Sequence, residues 1–252
     1  MHPILFNFGW LTVTSFGALL ALAFIVGLYF MRREMERRGM DPDIAYDLVL
    51  AVAFGALVGA RLFFVAAHWS DYYSKVPGDI MAIWKGGLVF YGGLLGGGIA
   101  MYLVARVRKL NVIRLADCVA APLAIGTAIG RIGCFLNGCC YGIASNSPLA
   151  VHFVGNGYAG RYLPTQLIEM VWALVMFAAI YFWLERRNTF KKDGSIFLVY
   201  LLLYSFGRFF VEFARFATWH MFGIFTFAQL ISVAIFVVVL VLLIRRRQSD
   251  AL

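Results

Sequence analysis

The sequence predicts an all-α, polytopic membrane protein of about seven transmembrane helices. Three observations predict it. Of 252 residues, 62% are hydrophobic and 17% aromatic, and no soluble domain of this size needs that much apolar surface. The apolar residues gather into seven runs, each close to the ~20 residues that a helix needs to cross the hydrocarbon. The basic residues between those runs alternate sharply in abundance from one connection to the next. A single integral-membrane domain over residues 1–252 follows, with no internal repeat and no soluble second domain.

The first run, about Val13–Met31, ends at Arg32-Arg33-Glu34-Met35-Glu36-Arg37-Arg38. Basic residues come after it and not before it, which is the wrong order for a cleaved signal peptide. Asp41-Pro42 then opens a second span, about Ile44–Ala67, which carries Arg61; proline just inside a helix start is well placed. A polar loop with Asp71, Lys75, Pro77 and Asp79 leads to a glycine-rich third span, about Gly87–Ala105. Gly55/Gly59, Gly92/Gly96 and Gly93/Gly97 are GxxxG pairs, which allow helices to approach closely. The fourth span runs from about Ala116 into Gly130-Arg131-Ile132-Gly133-Cys134-Phe135-Leu136-Asn137-Gly138-Cys139-Cys140-Tyr141-Gly142, where the glycines and Asn137 end the helix and turn the chain. Residues 143–165 form a short outer loop. Spans at about Gln166–Leu184, Ser195–Ala214 and Ile224–Ile244 complete the set.

Charge sets the expected orientation. One set of connections holds Arg32, Arg33, Arg37, Arg38, Arg106, Arg108, Lys109, Arg114, Arg186, Arg187, Lys191, Lys192, Arg245, Arg246 and Arg247. The opposite set holds only Lys75, Lys85, Arg161 and Arg215. By the positive-inside rule the N-terminus is outside and the C-terminus cytoplasmic. The net charge of +9 therefore reads as topology, and nucleic acid is excluded as a partner.

The remaining arginines, Arg61, Arg131 and Arg208, lie within spans. An arginine at the centre of a spanning helix costs roughly 2.5–3.5 kcal/mol on insertion scales, so it normally meets a polar cavity or an anionic partner. Arg131 lies about 22 Å along its helix at 1.5 Å per residue, and the other two reach the same outer half of the bilayer. Tyr91, Gln166 and Glu169 enter near that level, and Glu212 follows Arg208 by four positions on one helix face. Each also has a plain structural use: an intrahelical ion pair for Arg208 and Glu212, helix bridging for Gln166 and Glu169, an interfacial aromatic for Tyr91, snorkelling for Arg61. Few acids for three arginines leave positive charge over, and a phospholipid phosphate would satisfy it. Four cysteines, at 118, 134, 139 and 140, lack the CxxC…CxxC spacing of a zinc site. They read first as small packing residues.

The motifs resemble those of the prolipoprotein diacylglyceryl transferase family, bacterial inner-membrane enzymes. The stretch Gly130–Gly142 resembles the family signature. Further matches occur in the family's order: Gly59-Ala60-Arg61, Trp84-Lys85-Gly86-Gly87-Leu88-Val89-Phe90-Tyr91-Gly92-Gly93, Pro164-Thr165-Gln166-Leu167-Ile168-Glu169, Gly207-Arg208-Phe209-Phe210-Val211-Glu212-Phe213-Ala214-Arg215, and Gln229. The resemblance implies transfer of diacylglycerol from phosphatidylglycerol to the lipobox cysteine of a preprolipoprotein signal peptide, the first step of lipoprotein maturation. It implies a multi-pass protein of the bacterial inner membrane among membrane lipids. It makes Arg131 and Arg208 the essential arginines, with Tyr91 and Glu212 as further catalytic candidates. Arg131, Arg61, Asn137, Gly142, Gly92, Gly93, Gln166 and Glu169 become substrate-binding candidates. Tyr91 stands where many members have histidine, Cys134 where asparagine is common, Cys139 where glutamate is common, and Phe16 where tyrosine is frequent. These departures leave the general base open.

The implied chemistry is attack by a thiolate on the glycerol carbon that bears the phosphate ester, and no metal or organic cofactor is implied. Fixed positive charge in a low-dielectric site would stabilise the leaving glycerol phosphate. The competing readings are an anionic-lipid transporter or flippase, a paralogue with another lipid acceptor, and a membrane protein that binds metal through Cys134, Cys139 and Cys140. A transporter would favour broken helices in paired halves, and no such halves occur in the sequence.

Overall fold

The computed structural model describes residues 3–7, 12–155, 158–184, 192–215, 220–221 and 225–248. Arg186, Arg187 and Lys191 of the predicted basic connections, and Asn156 and Gly157 of the predicted outer loop, lie outside these. Among the described residues, seven helices are long and apolar enough to cross a membrane. They are α1 (Ser15–Arg37), α2 (Ile44–Ala67), α3 (Phe90–Val107), α4 (Val112–Asn137), α5 (Thr165–Ala178, continued by a wider π-helical turn Ala179–Leu184), α6 (Ser195–Phe213) and α7 (Phe227–Gln248). Apolar side chains such as Ile25, Leu94 and Val238 stay exposed on them, which suits a lipid-solvated surface. Among the described residues, three antiparallel strand pairs accompany the helices: β1 (Ile4–Asn7) with β2 (Thr12–Thr14), β3 (Val151–Gly155) with β4 (Tyr158–Tyr162), and β5 (His220–Met221) with β6 (Phe225–Thr226). The sequence predicts no strand. In the 143–165 stretch, Phe153 is buried and meets Phe135, Tyr141 and Tyr162. A short aromatic alternation thus becomes a hairpin instead of an irregular loop.

The chain divides into two compact units, Met1–Met31 with Ala116–Leu252, and Arg32–Leu115. In the larger unit, Ala120, Ala121 and Ala124 of α4 pack against Met176 and Phe177 of α5, Ile180 and Tyr181 of the π-helical turn that continues it, and Ile196 and Tyr200 of α6. Alanines on α4 let the aromatic rings of its neighbours lie close to its backbone. Asp117 of α4 is buried and accepts from the backbone N–H groups of Gly194 (2.7 Å) and Phe197 (2.8 Å). A carboxylate at a helix N-terminus satisfies donors that the helix itself cannot, so Asp117 fixes the start of α6. Further along, the Trp172 indole donates to the Leu203 carbonyl at 3.1 Å and lies over Gly207, where a Cβ would come within 2.1 Å of Nε1.

In the smaller unit, α2 and α3 touch backbone to backbone through the predicted glycine pairs. A Cβ on Gly96 would lie 2.1 Å from the Gly55 carbonyl oxygen, and one on Gly59 2.3 Å from that of Gly92. Gly96→Val is therefore expected to destabilise the protein by more than the ~1–3 kcal/mol typical of overpacking, because backbone cannot yield as a side chain can. Gly98→Val, on an exposed position with nothing within 4 Å of its Cβ, is the matched control. Thermal unfolding of both variants in detergent checks this, and equal midpoints would contradict it.

Candidate functional site

The end of α4 builds the first part of the site. Gly138 has φ 71° and its N–H donates to the Phe135 carbonyl at 3.1 Å, while the Cys139 N–H reaches back to the Cys134 carbonyl at 3.1 Å. This pair of bonds is a Schellman motif, the end that Asn137-Gly138 favours because glycine accepts the left-handed conformation. Asn137 is the last helical residue. The chain then turns and is anchored: Gln166 Nε2 donates to the Cys139 carbonyl at 2.7 Å and Thr165 Oγ1 to the Cys140 carbonyl at 3.0 Å. Gly142 runs beside Leu163 and Ala214, with its N–H on the Leu163 carbonyl at 2.8 Å. A Cβ on Gly142 would be 2.1 Å from the Ala214 oxygen, so only glycine allows this approach. The segment pairs with Arg215 and so brings the end of α6 to the α4 turn.

Charged side chains of α4, α5 and α6 converge beside this turn. Arg131 lies 2.5 Å from Glu169, Arg215 3.6 Å and Arg208 4.0 Å from the same carboxylate, and Arg208 2.8 Å from Glu212. Glu212 also accepts from Thr226 Oγ1 at 3.1 Å, and the Gln229 side chain accepts from the Thr226 N–H at 2.9 Å. Three guanidiniums face two carboxylates, so one positive charge is left over. The acids are nearly buried (side chains 11% and 9% exposed), whereas Arg131, Arg208 and Arg215 keep about a fifth of their surface open. Arg208 Nη1, Glu169 Oε1 and Gln166 Oε1 are buried and make no hydrogen bond. Orphaned polar atoms are rare in folded interiors, and several at one place mark a polar-ligand site. An anion can take both the surplus charge and the open Arg208 donor.

Phe16 packs on Gly133, its ring 3.2 Å from where a Cβ would stand, and so covers α4 between Arg131 and Cys134.

The other predicted residues belong to the smaller unit. Arg61 is buried, and its guanidinium is caged by backbone carbonyls: Nε on Ile80 at 2.9 Å, Nη1 on Gly86 at 2.6 Å and Gly87 at 3.2 Å, Nη2 on Asp79 at 2.6 Å. Gly86 and Gly87 have φ 81° and 79°, and these turns aim the carbonyls at Arg61. Arg61 neither snorkels nor offers a free fork. Phe64, His68, Tyr72 and Tyr73 join it around a cavity of about 260 Å³. Tyr91 stands in the first turn of α3, 60% exposed. Gly92 packs on α2, where a Cβ would meet the Gly59 oxygen at 2.4 Å, whereas Gly93 has 3.4 Å to its nearest neighbour.

Sequence reasoning expects polar groups of the second to sixth spans to converge; Arg131, Arg208, Glu169 and Glu212 meet, Asn137, Gly142 and Gln166 lie at the adjoining turn, and Arg61 and Tyr91 belong to the smaller unit. Sequence reasoning misses Arg215, which it counts among loop cations. The signal that finds it is adjacency: Arg215 lies just past the end of α6, three residues after Glu212, and its bridge to Gly142 brings it to Glu169. Thr226, the hydroxyl on Glu212, carries no such signal.

The sequence matches the family described as prolipoprotein diacylglyceryl transferase over residues 3–245. A Bacillus velezensis protein named phosphatidylglycerol–prolipoprotein diacylglyceryl transferase is 36% identical over 257 residues, covering 99% of this chain and 93% of its own. Proteins of the same name from Lactiplantibacillus plantarum (36% over 258 residues, 99% and 91% covered) and Enterococcus faecalis (34% over 260 residues, 100% and 93% covered) are also similar. With the match running through every helix that supplies the arginine–glutamate cluster, the chain belongs to the prolipoprotein diacylglyceryl transferase family.

Proposed function

We propose that this protein transfers the diacylglyceryl group of phosphatidylglycerol to the lipobox cysteine of a preprolipoprotein, in the bacterial inner membrane. The observation that carries the reading is the surplus positive charge of Arg131, Arg208 and Arg215 around Glu169, with Arg208 Nη1 left without a hydrogen bond. Membership of a family whose relatives bear that activity in their names supports it.

In this reading the substrate thiolate attacks the glycerol carbon bearing the phosphate ester. A sulfur–carbon bond forms, the carbon–oxygen bond breaks, and glycerol phosphate leaves with the bonding pair. Arg131 and Arg208 hold the phosphate and stabilise its growing charge; donors fixed before the reaction cost no reorganisation during it. The same field lowers the pKa of the substrate thiol, ordinarily about 8.5. Glu212, engaged by Arg208 and Thr226, acts as a holder of Arg208 and not as a free base. Gln166 and Gly142 shape the turn beside the phosphate. Arg61 serves by fixing the Gly86-Gly87 loop that leads into Tyr91, Gly92 and Gly93.

Incubating the purified protein with phosphatidylglycerol and a lipobox peptide tests the function. Mass spectrometry should find a diacylglyceryl adduct on the peptide cysteine, and its absence with folded protein would overturn the reading. Tyr91 carries the proton-relay role that its motif position implies. Tyr91→Phe should slow transfer by about tenfold, less than the 10²–10⁴ of a dedicated general base, with phosphatidylglycerol binding retained. An unchanged rate assigns proton removal to the arginine field alone. The basic asymmetry of the connections supports an N-terminus on the outside. A reporter fused after the last residue should behave as cytoplasmic, and activity on the outer side would reverse the topology.

A further inference from the structure

Three of the four cysteines meet at one point. The sulfurs of Cys134, Cys139 and Cys140 lie within 4.8 Å of one another, those of Cys139 and Cys140 are 3.6 Å apart, and all are free thiols. The Schellman turn explains the convergence: its defining bond, from the Cys139 N–H to the Cys134 carbonyl, folds residue 139 back over residue 134. Cys140 then has φ 66°, a conformation costing a non-glycine residue of the order of 1 kcal/mol. Gln166 and Thr165 pin the carbonyls of Cys139 and Cys140 from α5. The trio is thus held in place by backbone bonds, not by flexible side chains alone.

We propose that Cys134, Cys139 and Cys140 form a three-thiolate site for a soft d¹⁰ cation, zinc(II) or copper(I), with a further position open. Sulfurs bound tetrahedrally at about 2.3 Å from zinc stand about 3.8 Å apart. The Cys139–Cys140 separation of 3.6 Å already matches, and closing the third corner requires a shift of about 1 Å at most by this geometry. Thiolate ligands select zinc and copper(I) over magnesium, calcium or manganese. Binding releases the thiol protons to solvent. The ion takes no part in diacylglyceryl transfer; it fastens the turn that follows the Arg131 helix. Cys118, buried within α4, is outside the site.

The test uses the full chain in detergent, reduced with a phosphine and freed of metal. Zinc(II) is titrated against a chromophoric chelator, and cobalt(II) serves as an optical probe of thiolate ligation. One equivalent is expected, with a sulfur-to-cobalt charge-transfer band and protection of three thiols from alkylation. Cys118→Ser should bind as the parent does. Cys140→Ser, at an exposed position, should weaken binding more than ~100-fold, beyond the loss seen for an outer-shell partner. The triple variant Cys134→Ser, Cys139→Ser, Cys140→Ser should take up none while retaining transfer activity, which shows that it is folded. No stoichiometric uptake by the reduced parent, or uptake kept by the triple variant, overturns the site. Metal uptake is read without lipid or peptide, so its failure is distinct from failure of the transferase reading.

Discussion

Replacing Arg131 by lysine is expected to lower diacylglyceryl transfer about 10²–10³-fold, the scale of losing one preorganised donor to a developing anion. The geometry makes lysine an informative change. Arg131 meets Glu169 through Nη2 at 2.5 Å, and its remaining N–H donors have no hydrogen-bond partner among the described residues. Lysine can keep the ion pair, and with it the folded arrangement of α4 against α5. It cannot present the planar fork that takes two phosphate oxygens together. The loss should therefore appear in kcat, with a smaller change in apparent phosphatidylglycerol affinity and little change in thermal midpoint. Arg131→Ala removes the charge as well and should lose both binding and turnover. Transfer by Arg131→Ala at the parent rate would leave the buried charge without a role and remove the centre of the proposed function.

Glu169→Gln is expected to act differently. Glu169 is the hub on which Arg131, Arg208 and Arg215 meet. The substitution keeps shape but leaves three guanidiniums facing Glu212 alone, so the surplus rises from one positive charge to two. Removing one member of a buried ion pair costs about 3–5 kcal/mol; with the arginines about a fifth exposed, solvent screening places this site at or below the lower end. The folded protein should melt earlier. Transfer should fall about 10–100-fold, the usual effect of losing a group that orients a ligand-binding side chain. Phosphatidylglycerol binding should hold or tighten, because the pocket has gained positive charge. A split in which binding stays and turnover drops distinguishes an orienting carboxylate from one that only stabilises the fold. Equal activity and stability in Glu169→Gln would show that the arginines are oriented by something else.

Much of the fold is legible in one dimension. Whether a segment can cross a membrane depends on its own length and apolarity, which is why all seven helices occur where the runs place them. The predicted second span, Ile44–Ala67, coincides with α2, and the end of α4 falls at Asn137-Gly138, because glycine's freedom at positive φ is a local property. The glycine pairs of α2 and α3 are also read correctly, since removing side chains leaves close approach as their main use. The β3–β4 hairpin is not read, because its alternation is brief and Phe153 is buried against Phe135 and Tyr141, which lie outside the hairpin.

The sequence by itself determined the membrane class, the seven spans, the helix-ending turn and the set of arginines and acids from which a site is built. The tertiary structure alone decided how they pair. It made Glu169 the common partner of three arginines, tied Glu212 to Thr226, closed the backbone carbonyls around Arg61, and drew Cys134 to Cys139 and Cys140. Spacing along a helix states which residues share a face, but not which neighbouring helix that face meets. Guanidiniums accept carboxylates and carbonyls alike, so only the packed positions of the partners select between a charge left open for a ligand, as at Arg208, and one enclosed by the chain, as at Arg61.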